Sequence, residues 1–188
     1  MSKEYQLRGY MVAPLSTEAI RKHANNVRDV LCLPDEFVDL GIFLESLVNY
    51  AITLDVIDDV DMPGFSLHSE ACCIPETATI YLTSETYTKA CFNDPRTRFT
   101  VFHELGHLVL CHTRKLHRGQ DTREARPYMD SEWQADQFAA EITMPLNIIM
   151  RDHLFAPNEI QKKFGVSSQA AQIRYDYLVK NRIIKKIP

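Results

Sequence analysis

The sequence predicts an α+β protein in which a short, mostly antiparallel sheet lies beside a layer of helices. Three observations predict it. Several segments repeat apolar residues at helical spacing behind recognisable caps, short runs between them alternate as strands, and one helix is apolar around nearly its whole circumference and belongs at the centre. The 188 residues, 45% hydrophobic and 24% charged, have the make-up of a packed globular chain and the length of one domain with at most a small appendage. We therefore expect one unit over residues 1–150, with its N-terminal helices, and a helical extension over 151–188 packed on it.

Ser16 or Thr17 can cap a first helix, whose Ile20, Ala24, Val27 and Leu31 share a face until Pro34 stops it. A second helix is expected from about Asp35 to Tyr50, with Phe37, Leu40, Leu44, Leu47 and Val48 on one stripe. Ile52, Leu54 and Val56 then alternate as a strand, residues 62–66 read as a turn, and Ala71 to Thr83 reads as one or two β segments broken at Pro75. Asp94 followed by Pro95 is a cap with proline at the first helical position, so the central apolar helix should run from about Pro95 to Cys111. Thr113 to Met129, with Gly119 and Pro127, is the longest loop. Ser131 and Gln134 fit a capping box for a helix reaching about Thr143, and Gly165 separates two short helices near Asn158–Phe164 and Ser168–Lys180.

The charge balance narrows the function. With 21 Lys+Arg against 25 Asp+Glu the net charge is -4, so nothing draws the whole molecule to nucleic acid or anionic lipid. No apolar run approaches a membrane span, and Met1 to Tyr10 has no secretory h-region, so a cytoplasmic protein is expected. The five cysteines form no CxxC pair and read as free thiols.

The chemistry is concentrated in His103-Glu104-Leu105-Gly106-His107, an H-E-x-x-H inside the central helix. Four residues of helical rise place the two imidazoles about 6 Å apart on one face, within reach of one Zn²⁺. Glu104, one step round the helix, suits a general base. Two histidines and a glutamate are costly to desolvate in so apolar a helix unless a metal or partner compensates them.

Three protein ligands leave a fourth position for water, so one more ligand is required. The metzincin continuation would need glycine at position 110 and histidine at 113, where Leu110 and Thr113 stand. Glu132, at the start of the next helix, is the candidate. Asp136 lies four residues on, on the same face, where it can accept the second N–H of a ligating histidine. Ala135, Ala139 and Ala140 would let the two helices approach closely. Two imidazoles and a carboxylate accept Zn²⁺, Mn²⁺ or Fe²⁺.

The stretch Arg98-Phe99-Thr100-Val101-Phe102-His103-Glu104-Leu105-Gly106-His107-Leu108, with Glu132 through Pro145 (EWQADQFAAEITMP), resembles the ImmA/IrrE family of metallopeptidases over about residues 60–180. The resemblance implies a small zincin-like, gluzincin-type fold and zinc held by His103, His107 and Glu132, with Glu104 as general base. It also implies an intracellular endopeptidase of bacterial or phage origin that makes limited cuts in a helix-turn-helix transcriptional repressor, in a prophage, mobile-element or stress-response system. Two positions depart from the family pattern. Gln134 stands where many members carry glutamate, and suits capping; Thr143 replaces a leucine.

Other residues carry weaker signals. Tyr128, His112 and His117 lie near the site in sequence and could serve the oxyanion, Tyr128 before the others. Glu124 and Glu141 compete with Glu132, but Glu141 is nine residues along the helix, too far to replace it. Thr77 to Thr83 is a candidate edge strand for an extended substrate, and Cys72 or Cys73 could silence the metal as a thiolate. Asn158 to Leu178 patterns as a helix-turn-helix followed by Lys180, Arg182, Lys185 and Lys186. With only Arg174 strongly basic in its second helix, direct DNA binding is disfavoured and packing or a protein partner favoured. The rival to an enzyme is a regulatory protein that holds a repressor or toxin, or regulates on DNA, around a structural metal. The sequence leaves the oligomeric state open.

Overall fold

The computed structural model describes residues 5–58, 70–113 and 125–185. The turn expected at 62–66 and the middle of the loop after Thr113, with Gly119, His117 and Glu124, lie outside these residues. The fold is α+β. Helices α1 (Thr17–Val30) and α2 (Leu40–Ser46) precede strands β1 (Thr53–Ile57), β2 (Ala71–Ile74) and β3 (Thr79–Thr83). Helices α3 (Ser84–Cys91), α4 (Pro95–Val109), α5 (Ser131–Thr143), α6 (Leu146–Arg151), α7 (Pro157–Phe164) and α8 (Ser168–Lys180) follow. Among the described residues no helix is long and apolar enough to cross a membrane.

Local chemistry sets most of these boundaries. The Ser16 side chain accepts from the Ala19 amide at the start of α1, and the Asp94 carboxylate accepts from the Arg96 and Thr97 amides ahead of Pro95 in α4. The second helix starts later than its apolar stripe implies. Asp39 caps it, while the preceding residues are drawn out to serve a buried cation: Arg98 donates to the Val38 carbonyl and stacks 4.3 Å from the Phe37 ring. After Ser46 the chain tightens to a 3₁₀ turn over Leu47–Tyr50, which rotates Val48 out of the stripe into solvent. Helix α3 was hidden behind Thr83, which ends the strand and at the same time caps the helix by accepting from the Thr86 amide.

The three-stranded sheet has the order β1-β3-β2. β3 pairs parallel with β1 and antiparallel with β2, so the sheet is mixed where mostly antiparallel pairing was expected. The 79–83 segment is the middle strand. It has no free edge, which removes it as the substrate strand; among the described residues the outer edges belong to β1 and β2.

A main core unites Ile20 and Ala24 of α1, Phe43 and Leu44 of α2, Ile80 and Leu82 of β3, and Val101, Phe102 and Leu105 of α4. α4 and α5 meet closely. A Cβ on Gly106 would lie 3.3 Å from the Ala135 Cα and 3.1 Å from Phe138, so the glycine of the H-E-x-x-H and the alanine of the next helix set the spacing together. A second apolar cluster joins Met144, Ile148, Ile160, Phe164, Ala171 and Leu178 of the C-terminal helices. Gly165 turns between α7 and α8 at φ +61°, with the Phe37 ring where a Cβ would stand.

Candidate metal centre

α4 presents His103 and His107 on one face, and the first turn of α5 presents Glu132 opposite them. The two Nε2 atoms are 3.1 Å apart; Glu132 Oε2 is 3.2 Å from that of His103 and Oε1 is 3.4 Å from that of His107. An ion with bonds of about 2.0–2.1 Å to tetrahedral ligands spaces those ligands about 3.3 Å apart. The donor atoms therefore already stand at the separations such an ion requires, and the set fits a divalent metal. Among the described residues these three are the group of His, Cys, Asp or Glu side chains close enough together to hold one.

The remaining nitrogens are also engaged. His103 Nδ1–H donates to Asp136 Oδ1 at 3.0 Å, and Asp136 Oδ2 in turn meets the Arg8 guanidinium at 2.8 Å. His107 Nδ1 faces His112 Nδ1 at 3.0 Å, and His112 Nε2 faces Gln134 Oε1 at 3.0 Å. Neither contact was expected from sequence. His112 is therefore fully occupied and is not a spare donor for an oxyanion, while Tyr128, the preferred oxyanion candidate, is 45% exposed on the turn ahead of α5.

The electrostatics follow from burial and these bonds. Burial opposes the charged form of His103, yet the Asp136 and Glu132 carboxylates outweigh it and raise its pKa. The same bonds from His103 and His107 hold Glu132 well below the usual carboxylate range against its own desolvation. Glu104 behaves oppositely. Burial pushes its carboxyl up and the two imidazoles pull it back only in part, a poise suited to taking and giving a proton. His112 is drawn down to about 4, mainly by burial, and is a neutral imidazole.

Cys73 on β2 feels the charge of Glu104. Burial, and then that carboxylate, push its thiol up, so it stays protonated and makes a poor metal ligand; Cys72 is buried in the strand beside it. Glu141 lies away from the metal site, enclosed between Arg21 and Arg174, as its distance along the helix required.

The N-terminal segment, silent in the sequence, covers the start of α5. Asp130, not Ser131, is the N-cap; its carboxylate accepts from the Glu132, Arg8 and Gly9 amides and from the Tyr5 hydroxyl. Ser131 Oγ accepts from the Tyr10 amide. Gln134 is thereby released from capping, and its amide donates instead to the Ala13 and Tyr128 carbonyls, each at 2.8 Å. Gly9 packs so tightly here that a Cβ would fall 2.3 Å from Ser131 Oγ and 2.8 Å from Glu132 Cγ. A cleft of about 490 Å³ lies between α4, α5 and α8, lined by Asp136 together with Phe99, Thr100, Ile173 and Tyr177.

A comparison with curated proteins finds no match. Among solved structures the chain is similar to a Mycobacterium tuberculosis transcriptional regulator, with a TM-score of 0.51 and 13% identity over 82% of this chain, which shows a shared fold. The chain spans 45% of that protein's length. Residues 86–176, from α3 to α8 and including His103, His107 and Glu132, match the family model of Peptidase M78, the IrrE N-terminal-like domain.

Proposed function

We propose that the chain is a zinc-dependent endopeptidase that makes limited cuts in a protein substrate, with a helix-turn-helix transcriptional repressor in the cytoplasm as its target. The observation that carries the reading is the set of three donor atoms, two imidazole nitrogens and a carboxylate oxygen, standing 3.1–3.4 Å apart beside a glutamate whose carboxyl burial has made more basic. When bound, Zn²⁺ supplies a Lewis acid that polarises the scissile carbonyl and activates the attacking water. Glu104 would take a proton from the attacking water and hand it to the departing amine: the new C–O bond forms at the carbonyl carbon, and the peptide C–N bond then breaks as the nitrogen gains that proton. Asp136 keeps Nδ1 of His103 protonated and Nε2 free toward the metal position. The outer edge of β2 offers backbone groups to an extended substrate, the role that β3 cannot fill.

A second reading, a regulator that holds its partner around a structural metal, is favoured by the neighbour described as a transcriptional regulator. Direct DNA binding has less support, because Arg174 is 2% exposed and spent on Glu141. E104Q separates the two readings. For an enzyme it should keep stoichiometric metal and an unchanged fold while cleavage of a co-expressed repressor, followed by intact-mass spectrometry, falls at least about 100-fold. A variant that still relieves repression without cleavage would establish the holding mode.

A further inference from the structure

We infer that His112 and Gln134 are positioning residues for the metal ligand His107: a hydrogen-bond chain with one permitted direction, anchored on backbone carbonyls, that leaves the Nε2 lone pair of His107 facing the metal position. The inference rests on reading His103, His107 and Glu132 as the ligand set.

The direction of the chain follows from its far end. Carbonyl oxygens only accept, so the Gln134 group within 2.8 Å of both the Ala13 and Tyr128 carbonyls is its NH₂. The reversed amide would press an oxygen against two others. Gln134 Oε1 therefore faces His112 Nε2 at 3.0 Å, and that nitrogen must carry the hydrogen. His112 is buried, and its ring nitrogens bond an imidazole and an amide rather than a carboxylate, so it carries one N–H and its Nδ1 is a lone pair. It lies 3.0 Å from His107 Nδ1, which must then be the donor. A ligating His107 is the neutral imidazole with one hydrogen, and with that hydrogen on Nδ1 its Nε2 lone pair faces the metal position.

The backbone explains why His112 is in place. α4 ends with Cys111 in the left-handed region at φ 52°, with its amide on the Leu108 carbonyl and the His112 amide on the His107 carbonyl, 3.1 and 3.0 Å. This reversal lays His112 back over the last turn, bringing its ring to 5.0 Å from that of His107, centroid to centroid, in an edge arrangement. A non-glycine residue accepts a strained φ at this point, and the geometry gained is the contact with the ligand. The two ligands are thus fixed by different chemistry: His103 by a carboxylate, His107 by a neutral imidazole and an amide.

The direct test is long-range ¹H–¹⁵N correlation on the imidazoles of the zinc-loaded full chain. His112 is expected as the Nε2–H tautomer, and His107 as Nδ1–H with Nε2 coordinated. His112 found as Nδ1–H overturns the proposal even if zinc is stoichiometric. A wild-type chain that takes up no metal overturns the ligand reading and this proposal with it. H112F and Q134M, which keep bulk and remove the bonds, should weaken metal affinity about 10–100-fold in a competition titration. Variants that keep wild-type circular dichroism and unchanged metal affinity would also overturn it. Where a variant fails to fold, the tautomer measurement on the wild type decides.

Discussion

Gly9 shows how one residue far from the H-E-x-x-H can govern it. A methyl group there would collide with Ser131 Oγ and with the side chain of Glu132, so G9A must push either the N-terminal segment or the ligand aside. Metal affinity measured with a chromophoric chelator should fall about tenfold, as for other residues that orient ligands. An unchanged affinity would mean that the segment yields and Glu132 does not. Asp94 is a simpler case. Its carboxylate caps α4, held low first by the Thr97 amide, and D94A should cost about 1 kcal/mol in denaturant unfolding. Helical spacing fixes His103 relative to His107 and Glu132 relative to Asp136, each pair one turn apart, while the pairing of the two helices was legible only through the resemblance. Arg8, Gly9 and the His112–Gln134 pair could not be placed from sequence, because each meets its partner through the fold across a gap in sequence that no periodicity spans, as between Arg8 and Asp136.

Among the elements, α5 makes the most connections: its first turn carries Glu132, its middle Asp136, and its last part a buried ion-pair cluster. Glu141, with no exposure, takes two bonds from Arg174 of α8 and two from Arg21 of α1, so one carboxylate fastens three helices. E141Q leaves two guanidiniums facing a neutral amide and should destabilise the protein by about 3–5 kcal/mol, read from urea unfolding, whereas truncating exposed Lys180 should leave stability within about 0.5 kcal/mol. Element boundaries were legible wherever the stop or start signal was local and unambiguous: Asp94-Pro95 for α4, and Gly165 with the following serines for α8. They were misread where two candidate caps adjoin. At Asp130-Ser131 the carboxylate takes the cap and frees the hydroxyl for the N-terminal segment; at residues 35–39 the demands of buried Arg98 override an apolar stripe that runs on toward Asp35.

The whole molecule responds to acid through carboxylates held low by folding. Burial works against Glu141 and Asp136, but the cations beside them depress both, while amide bonds depress Asp39 and Asp94. Each such group gives its full stability above the unfolded carboxylate pKa near 4 and loses it as pH falls through the lower folded value. The contribution of these carboxylates to the unfolding free energy should therefore be flat from neutrality to about pH 5 and decline steeply below about pH 4, read for Asp94 as the difference between wild type and D94A in urea titrations at each pH. The α+β class was legible from periodicity alone. The strand order was not, because no local signal in the sequence says which strand lies central; β3 does, pairing parallel with β1 and antiparallel with β2.

The unequal support of the two imidazoles bears on reactivity. Asp136 lends negative charge to the ring of His103, making it the more electron-rich donor, while His107, backed only by uncharged groups, gives less density away. A cation seated between them is less fully neutralised than it would be with an anion behind each ring. It would withdraw electrons more strongly from whatever oxygen approaches its open side, and the two histidines would not be interchangeable in tuning that pull.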